Sequence, residues 1–284
     1  MISGVPPRAP RRTDLGRWRW LAWAYVGVVL TAAIALPYLA LLKAALTLSV
    51  SEPLNAATAT LHNFQFVLFE FSATRLAIFN TLVLGLSAAS ITTVMALVAA
   101  YLVARAIAPG SKWLGWLAMA PIAIPGIVLG VGLFLSYANP TFGLYGTLWI
   151  LLIGFVTLEM PAGYQQMSVA FGGVHPELEE ASRILGASRL ASLWHVTAPL
   201  LKGSLVATWC FVFIGTIREL SATILLTTAN TKLVSVIIYD LNESGDFGAI
   251  SVLGLLLLAV SFAVVFLATR LTGSGEGRLS RAAG

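Results

Sequence analysis

Three ionisable residues, Glu159, Arg218 and Glu219, stand inside otherwise apolar stretches of this chain. At the centre of a membrane helix such a group costs about 2.5–3.5 kcal/mol on insertion scales, so it faces water, pairs with another charge or relays an ion. Arg218 and Glu219 are adjacent, so on a helix they point about 100° apart and each needs a partner of its own. At about 1.5 Å of rise per residue, the apolar limits put Glu159 near the inner mouth, about 14 Å in depth from Arg218. That separation is too large for a direct bridge. The pattern predicts Arg218 and Glu219 on a wet central pathway or at a subunit interface. A charge network that serves packing alone is the competing reading.

Other chemistry is sparsely encoded. His62, His175 and His195 fall outside the apolar stretches, and HPELEE lacks the spacing of the H-E-x-x-H zinc helix. Cys210 is the single cysteine, so neither a disulfide nor a cysteine metal site is available. No G-x-x-x-x-G-K-[ST] phosphate loop occurs, and the nearest glycine–lysine neighbours, Lys202 and Gly203, are in the wrong order. The reading is of a chain with no catalytic residues, no metal ligands and no bound cofactor.

One segment, 163–202, breaks the apolar character with an acidic and then basic amphipathic run. Pro176 with Glu177, Glu179 and Glu180 marks a helix start, since proline suits the first turn and the acids oppose the positive end of the helix dipole. Leu178, Ala181, Ile184 and Leu185 recur at helical spacing, and Gly186 can end the helix in a left-handed turn. Ser188 then caps a second short helix carrying Leu190, Leu193 and Trp194. A helix lying on lipid would suit Trp194 and Arg189, but an anionic leaflet repels three acids. A protein partner fits better.

The elements around these residues follow from composition. With 58% hydrophobic and 10% charged residues, the chain carries more apolar surface than a soluble domain can hide. Crossing the bilayer takes about 20 apolar residues, and six stretches meet or approach that length. They are 20–42, 76–104, 113–137, 144–162, 203–226 and 247–271. The predicted fold is an all-α integral membrane protein of six transmembrane helices, with a cytoplasmic helix-turn-helix between the fourth and fifth. Its parts are a tail (1–19), a first helix (20–42), an outer loop (43–75), a core (76–271) and a C-terminal tail (272–284).

Basic residues in short loops stay on the cytoplasmic side. Arg8, Arg11, Arg12, Arg17, Arg19, Arg105, Lys112, Arg183, Arg189, Lys202, Arg270, Arg278 and Arg281 share one side. The opposite loops hold Lys43, Arg75 and Lys232 against Glu52, Glu70, Asp240, Glu243 and Asp246. Both termini are therefore expected in the cytoplasm. The net charge of +5 is explained by this anchoring rather than by nucleic acid. Arg11 and Arg12 precede a stretch long enough to span, unlike a cleaved signal. In MAPIAIPGIVLGVG, Pro121 and Pro125 each remove a backbone donor, and Gly126, Gly130 and Gly132 permit close helix approach. Pro121, Pro125 and Gly126 are candidate kinks, lining a pathway or serving ordinary packing.

These residues resemble the permease subunits of binding-protein-dependent ABC importers. Their cytoplasmic loop reads E-A-A, three residues, G, nine residues, I-x-L-P, before the penultimate helix. Here Glu180, Ala181 and Ser182 are followed by Gly186 and then, nine residues on, by Val196, Ala198 and Pro199. Ser182 replaces alanine, Val196 isoleucine and Ala198 leucine; the spacing is intact. The stretches LHNFQFVLFEFSATRLAIFNTL, PIAIPGIVLGVGL, YGTLWILL, RELSATILL and IIYDLNESGDFGAISVLGLLLL are similar to the second half of ferric-iron-type permeases.

The resemblance implies a bacterial inner-membrane subunit that forms the translocation pathway and docks a separate ABC ATPase dimer. ATP and magnesium would be held by that ATPase. It also implies a periplasmic substrate-binding protein at the outer loops, and a second permease unit, identical or different. Ferric iron is the implied cargo, with thiamine, polyamine or phosphonate as alternatives within the class. Ferric permeases commonly join two six-helix units, so this chain reads as a split form, a piece, or a subunit that pairs. An ion-coupled secondary transporter using Glu159, Arg218 and Glu219 as a relay is the reading from another class.

Overall fold

The computed structural model describes residues 16–273 other than Ala108, and every described element is helical. Arg8, Arg11, Arg12, Arg278 and Arg281, placed above in the tails, lie outside the described residues. Four helices are long and apolar enough to cross a bilayer: Gly16–Ala45, Ser72–Ala104, Leu148–Gly172 and Phe247–Arg270. They are called here the first, second, fourth and sixth spans. Two further stretches qualify only as bent pairs.

The third span is Ser111–Ala123 followed by Gly126–Tyr137, bent by 104° rather than continuous over 113–137. Ile124 is extended (φ −106°, ψ 118°) and Pro125 (ψ 139°) begins the next helix. The residue before a proline is pushed out of the helical region, so the break falls where Pro125 dictates. The fifth span differs from its expected 203–226 as well. Its helix Lys202–Ile217 stops at Arg218, and Thr223–Leu226 is a separate turn.

The fourth span runs past its expected limit at 162 to Gly172, so the connecting segment begins after Gly172 rather than at 163. Pro161 lies inside this helix without ending it. The continuation is held by packing: Tyr164, Met167 and Phe171 recur on one face and are buried with Ala96, Leu97, Ala100 and Tyr101 of the second span. Small residues bring the backbones together. A Cβ on Gly163 would lie 3.2 Å from Thr92 Cγ2 and 3.3 Å from Ala96 Cβ. The second span is the hub, packed on the fourth through this face and on the fifth through Gly85, where a Cβ would come within 2.8 Å of Ile217 and 2.9 Å of Phe213.

Polar clasps tie the end of the bundle opposite the helix-turn-helix. The Asn63 amide donates to the carbonyls of Ala44, Ala45 and Thr47, closing the C-terminus of the first span. Asn80 of the second span donates to the carbonyls of Asn230 and Lys232, and Thr81 accepts the Val234 N–H. The first span packs on the sixth chiefly through Leu36–Ala45; Trp18, Trp20, Trp23 and Tyr25 are exposed.

Candidate functional site

Two regions carry the residues singled out by sequence. The first lies where the two interrupted helices meet. Gly126, at the break of the third span, approaches the break of the fifth so closely that a Cβ would sit 3.2 Å from Glu219 Oε1 and from Ser221 Cβ. Four residues on, a Cβ at Gly130 would be 3.0 Å from the Ala222 carbonyl. Pro121 sits half-buried in the helical turn before this crossing, Ala120–Ala123.

Glu159 reaches the same region from the fourth span. Its carboxylate fills the space beside Gly215, where a Cβ would collide with it. Glu159 and Gly215 each lie about 20 Å from the inner end of their own helices, which explains the meeting. The expected placement near the inner mouth, about 14 Å from Arg218, therefore does not hold. The sequence reading ended the fourth helix too early, and that shifted Glu159 inward. Glu159 lies within electrostatic reach of both Glu219 and Arg218 but makes no ion pair with Arg218.

The adjacent charges behave differently. Arg218 is exposed, at the end of its helix (φ −109°, ψ 2°). Glu219 is partly buried and accepts the Ala222 N–H at 3.0 Å, while its carbonyl accepts from Thr223 and Ser235 hydroxyls. Glu219 thus shapes the break itself, and Arg218 is presented beyond it. Helix geometry does not govern their relation, because the helix ends between Ile217 and Arg218.

Below Glu159 an open groove of about 490 Å³ runs between the inner halves of the fourth and fifth spans. Gln165, Gln166, Ser204 and Thr208 line it with Phe211, and Thr208 Oγ1 donates to Gln166 Oε1 at 3.1 Å. Sequence reasoning missed these polar residues, because Gln165 and Gln166 fell in the expected loop and uncharged Ser204 and Thr208 do not stand out within an apolar stretch. Placed on helices, they extend the polar line from Glu159 toward the inner face.

The second region is the helix-turn-helix. Glu177–Ile184 is helical, Gly186 is left-handed (φ +95°), and Arg189–Leu200 follows, with Ser188 accepting the Ala191 N–H as its cap. Gly186 N donates to Arg183 O and Ala187 N to Ser182 O, the paired bonds of a Schellman turn. Glu180, Ala181 and Gly186 are exposed. Ser182 is bonded to Ser192 across the turn, Val196 is half-buried and Pro199 is exposed.

Glu179, read from sequence only as one of three acids opposing the dipole, is buried. Its Oε1 accepts from Arg105 Nε (3.1 Å), Arg105 Nη2 (2.9 Å) and Thr197 Oγ1 (2.8 Å). Arg105 also donates to the Val174 carbonyl and lies over the Phe171 ring at 5.8 Å. No spacing in the sequence links positions 105, 179 and 197.

Residues 93–273 match the family described as the binding-protein-dependent transport system inner membrane component. The chain belongs to this family. It is a membrane component of a transport system and not an enzyme in its own right. A ferric transport system permease protein of Actinobacillus pleuropneumoniae is 31% identical over 189 residues, covering 66% of this chain and 28% of the relative. A putative ferric transport system permease protein of Haemophilus influenzae is 33% identical over 156 residues, covering 55% and 25%. A putative 2-aminoethylphosphonate transport system permease protein of Salmonella paratyphi A is 27% identical over 150 residues, covering 53% and 57%. The chain thus spans about a quarter of the ferric relatives it matches. A bacterial ABC transporter involved in alginate import shares the fold, at TM-score 0.72 and 17% identity over 90% of this chain and 96% of that one.

Proposed function

We propose that this protein is the permease subunit of an ATP-driven importer for ferric iron, paired with a second permease unit and driven by a separate ATPase. The observation that carries the reading is the Gly186 turn. Ile184 and Leu185 stand 85% and 89% exposed beside it, two large apolar side chains held in the open by an ordered turn. An exposed apolar patch of this kind calls for a protein partner. Glu180, one turn away, adds an exposed charge to the same surface. The ATPase would grip here in the cytoplasm, with both termini on that side, and a receptor protein would meet the opposite loops.

Closure of the ATPases on ATP would carry the docked helices with it and repack the spans between inward- and outward-open states. Cargo would pass Glu159, Arg218 and the groove beneath them. The ferric relatives favour iron; the phosphonate relatives make an organic phosphonate the second candidate.

The coupling test uses Gly186→Val and Glu180→Lys in proteoliposomes reconstituted with an ABC ATPase and a periplasmic receptor that copurify with this chain. A Cβ at left-handed φ costs about 1–2 kcal/mol, which at docking corresponds to about tenfold. Both variants are expected in the membrane at normal amounts, hydrolysing ATP with uptake reduced about tenfold. Normal uptake in both would refute the docking assignment. Radiolabelled ferric iron accumulating without competition from 2-aminoethylphosphonate supports the iron cargo, and the reverse competition overturns it.

A further inference from the structure

The proposed ATPase grip needs a rigid path from the coupling helix into the membrane, and covalent connection leads only to the fourth and fifth spans. We propose that Arg105 and Glu179 form a third, non-covalent path that locks the coupling helix to the second span, so that both move as one body. This inference rests on the docking reading above.

The geometry is specific. Arg105 is the residue that ends the second span, and its guanidinium makes the fork contact to Glu179 Oε1 through Nε and Nη2. The bridge is withdrawn from water, with side chains 14% and 7% exposed. The same carboxylate oxygen takes the Thr197 hydroxyl from the segment leading into the fifth span, and Arg105 holds the Val174 carbonyl at the end of the fourth. Four segments thus meet at one ion pair. Surface ion pairs are too soft to transmit displacement, but a desolvated, multiply bonded pair has a single arrangement.

A second observation points the same way. Ala106, next to Arg105, has φ +45°, the one described non-glycine residue at positive φ. Its N–H donates to Val103 O and that of Ile107 to Leu102 O, the Schellman pattern again, but with alanine where Gly186 and Gly245 serve elsewhere. A side chain in this region costs about 1–2 kcal/mol. That strained turn fixes the backbone from which Arg105 reaches Glu179. The second span, packed on both the fourth and fifth, is the element whose displacement would be felt throughout the bundle.

Arg105 and Glu179 are therefore positioning residues for coupling, distinct from the docking surface itself. The test is a spin-label distance between Ile91 on the second span and Leu190 beyond the Gly186 turn, both exposed, on a Cys210→Ala background. It is measured in the complex with the ATPase, nucleotide-free and trapped with ATP and vanadate. In the parent the distance is expected to hold. In Arg105→Ala and Glu179→Ala it is expected to change by more than about 2 Å on trapping, the scale of helix shifts at interfaces, with the ATPase still copurifying. The double variant is expected to match the singles. A constant distance in both single variants, or a change of the same size in the parent, overturns the proposal. Loss of ATPase copurification in the parent defeats the docking reading instead. If the alanine variants fail to accumulate, Thr197→Val removes one of the three bonds with little change of shape. An altered distance on trapping then supports the lock, and an unaltered one counts against it.

Discussion

Glu159 shows how a single glycine decides what a membrane charge can do. Gly215 leaves the room its carboxylate occupies, and any Cβ there would displace it. Gly215→Ala is expected to cut uptake while the protein still accumulates, since the added Cβ meets only the far end of the flexible Glu159 side chain and moves the carboxylate rather than the backbone. Gly203→Ala, with nothing within 4 Å of the added Cβ, is the matched control and is expected to be silent. Arg218 and Glu219 divide on the same test. Glu219 holds the Ala222 N–H. Glu219→Gln keeps an acceptor oxygen and should perturb transport less than Arg218→Ala, which removes the exposed cation. Uptake rates at the parental level in Gly215→Ala, Arg218→Ala and Glu219→Gln together would remove these residues from the pathway. Ala106→Gly should raise the thermal stability of the bundle, because it relieves about 1–2 kcal/mol of backbone strain.

At the scale of helices, the protein is built around interruptions that approach one another. The third span breaks at Ile124 and Pro125 and the fifth at Arg218, and Gly126 and Gly130 bring the two breaks into contact. Irregular backbone at such depth is tolerated where protein or water satisfies it, and Ser235, Thr223 and the Glu219 side chain do so here. Gly130→Leu is expected to prise the breaks apart and lower the amount of folded protein, read by detergent-solubilised yield; a parental yield would show the approach to be dispensable.

Much of this architecture was legible in the chain. Apolar length marked the four helices long enough to cross a bilayer, Pro125 marked the third-span break as a kink, and Gly186 with Ser188 marked the turn and its cap. The fourth span was not legible to its end, because Gly163 and the Gln165–Gln166 pair read as loop while tertiary packing of Tyr164, Met167 and Phe171 keeps the helix going. That one misjudged end also misplaced Glu159 by several turns. The Arg105–Glu179–Thr197 junction was invisible for a different reason: it depends on contacts between residues up to 74 positions apart, and none of the three departs from the composition of its own segment.

Considered as a whole, the molecule keeps the proposed ATPase-docking turn at one end and the loops proposed to meet a receptor at the other. The helix-turn-helix, Arg105 and Lys202 share one end, while Asn63, Asn80 and the loops near Thr231 and Asp246 form the other. The sidedness has a direct check in intact cells. A membrane-impermeant thiol reagent is expected to label Ser51→Cys from outside and to reach Leu190→Cys only after the membrane is opened. The opposite pattern would place the turn on the receptor side and end the importer reading.

The first span adds one more consequence. Among the described residues it packs chiefly through its last third, Leu36–Ala45 against the sixth span, while Trp18, Trp20 and Trp23 are exposed near its start. Indole rings settle at the headgroup level, so this girdle sets the depth of the helix independently of the bundle. Moving the tryptophans by one turn would slide the helix by about 5.4 Å. That slide would be borne by the Asn63 clasp and the Leu36–Ala45 seam together, which makes membrane thickness itself a load on this protein.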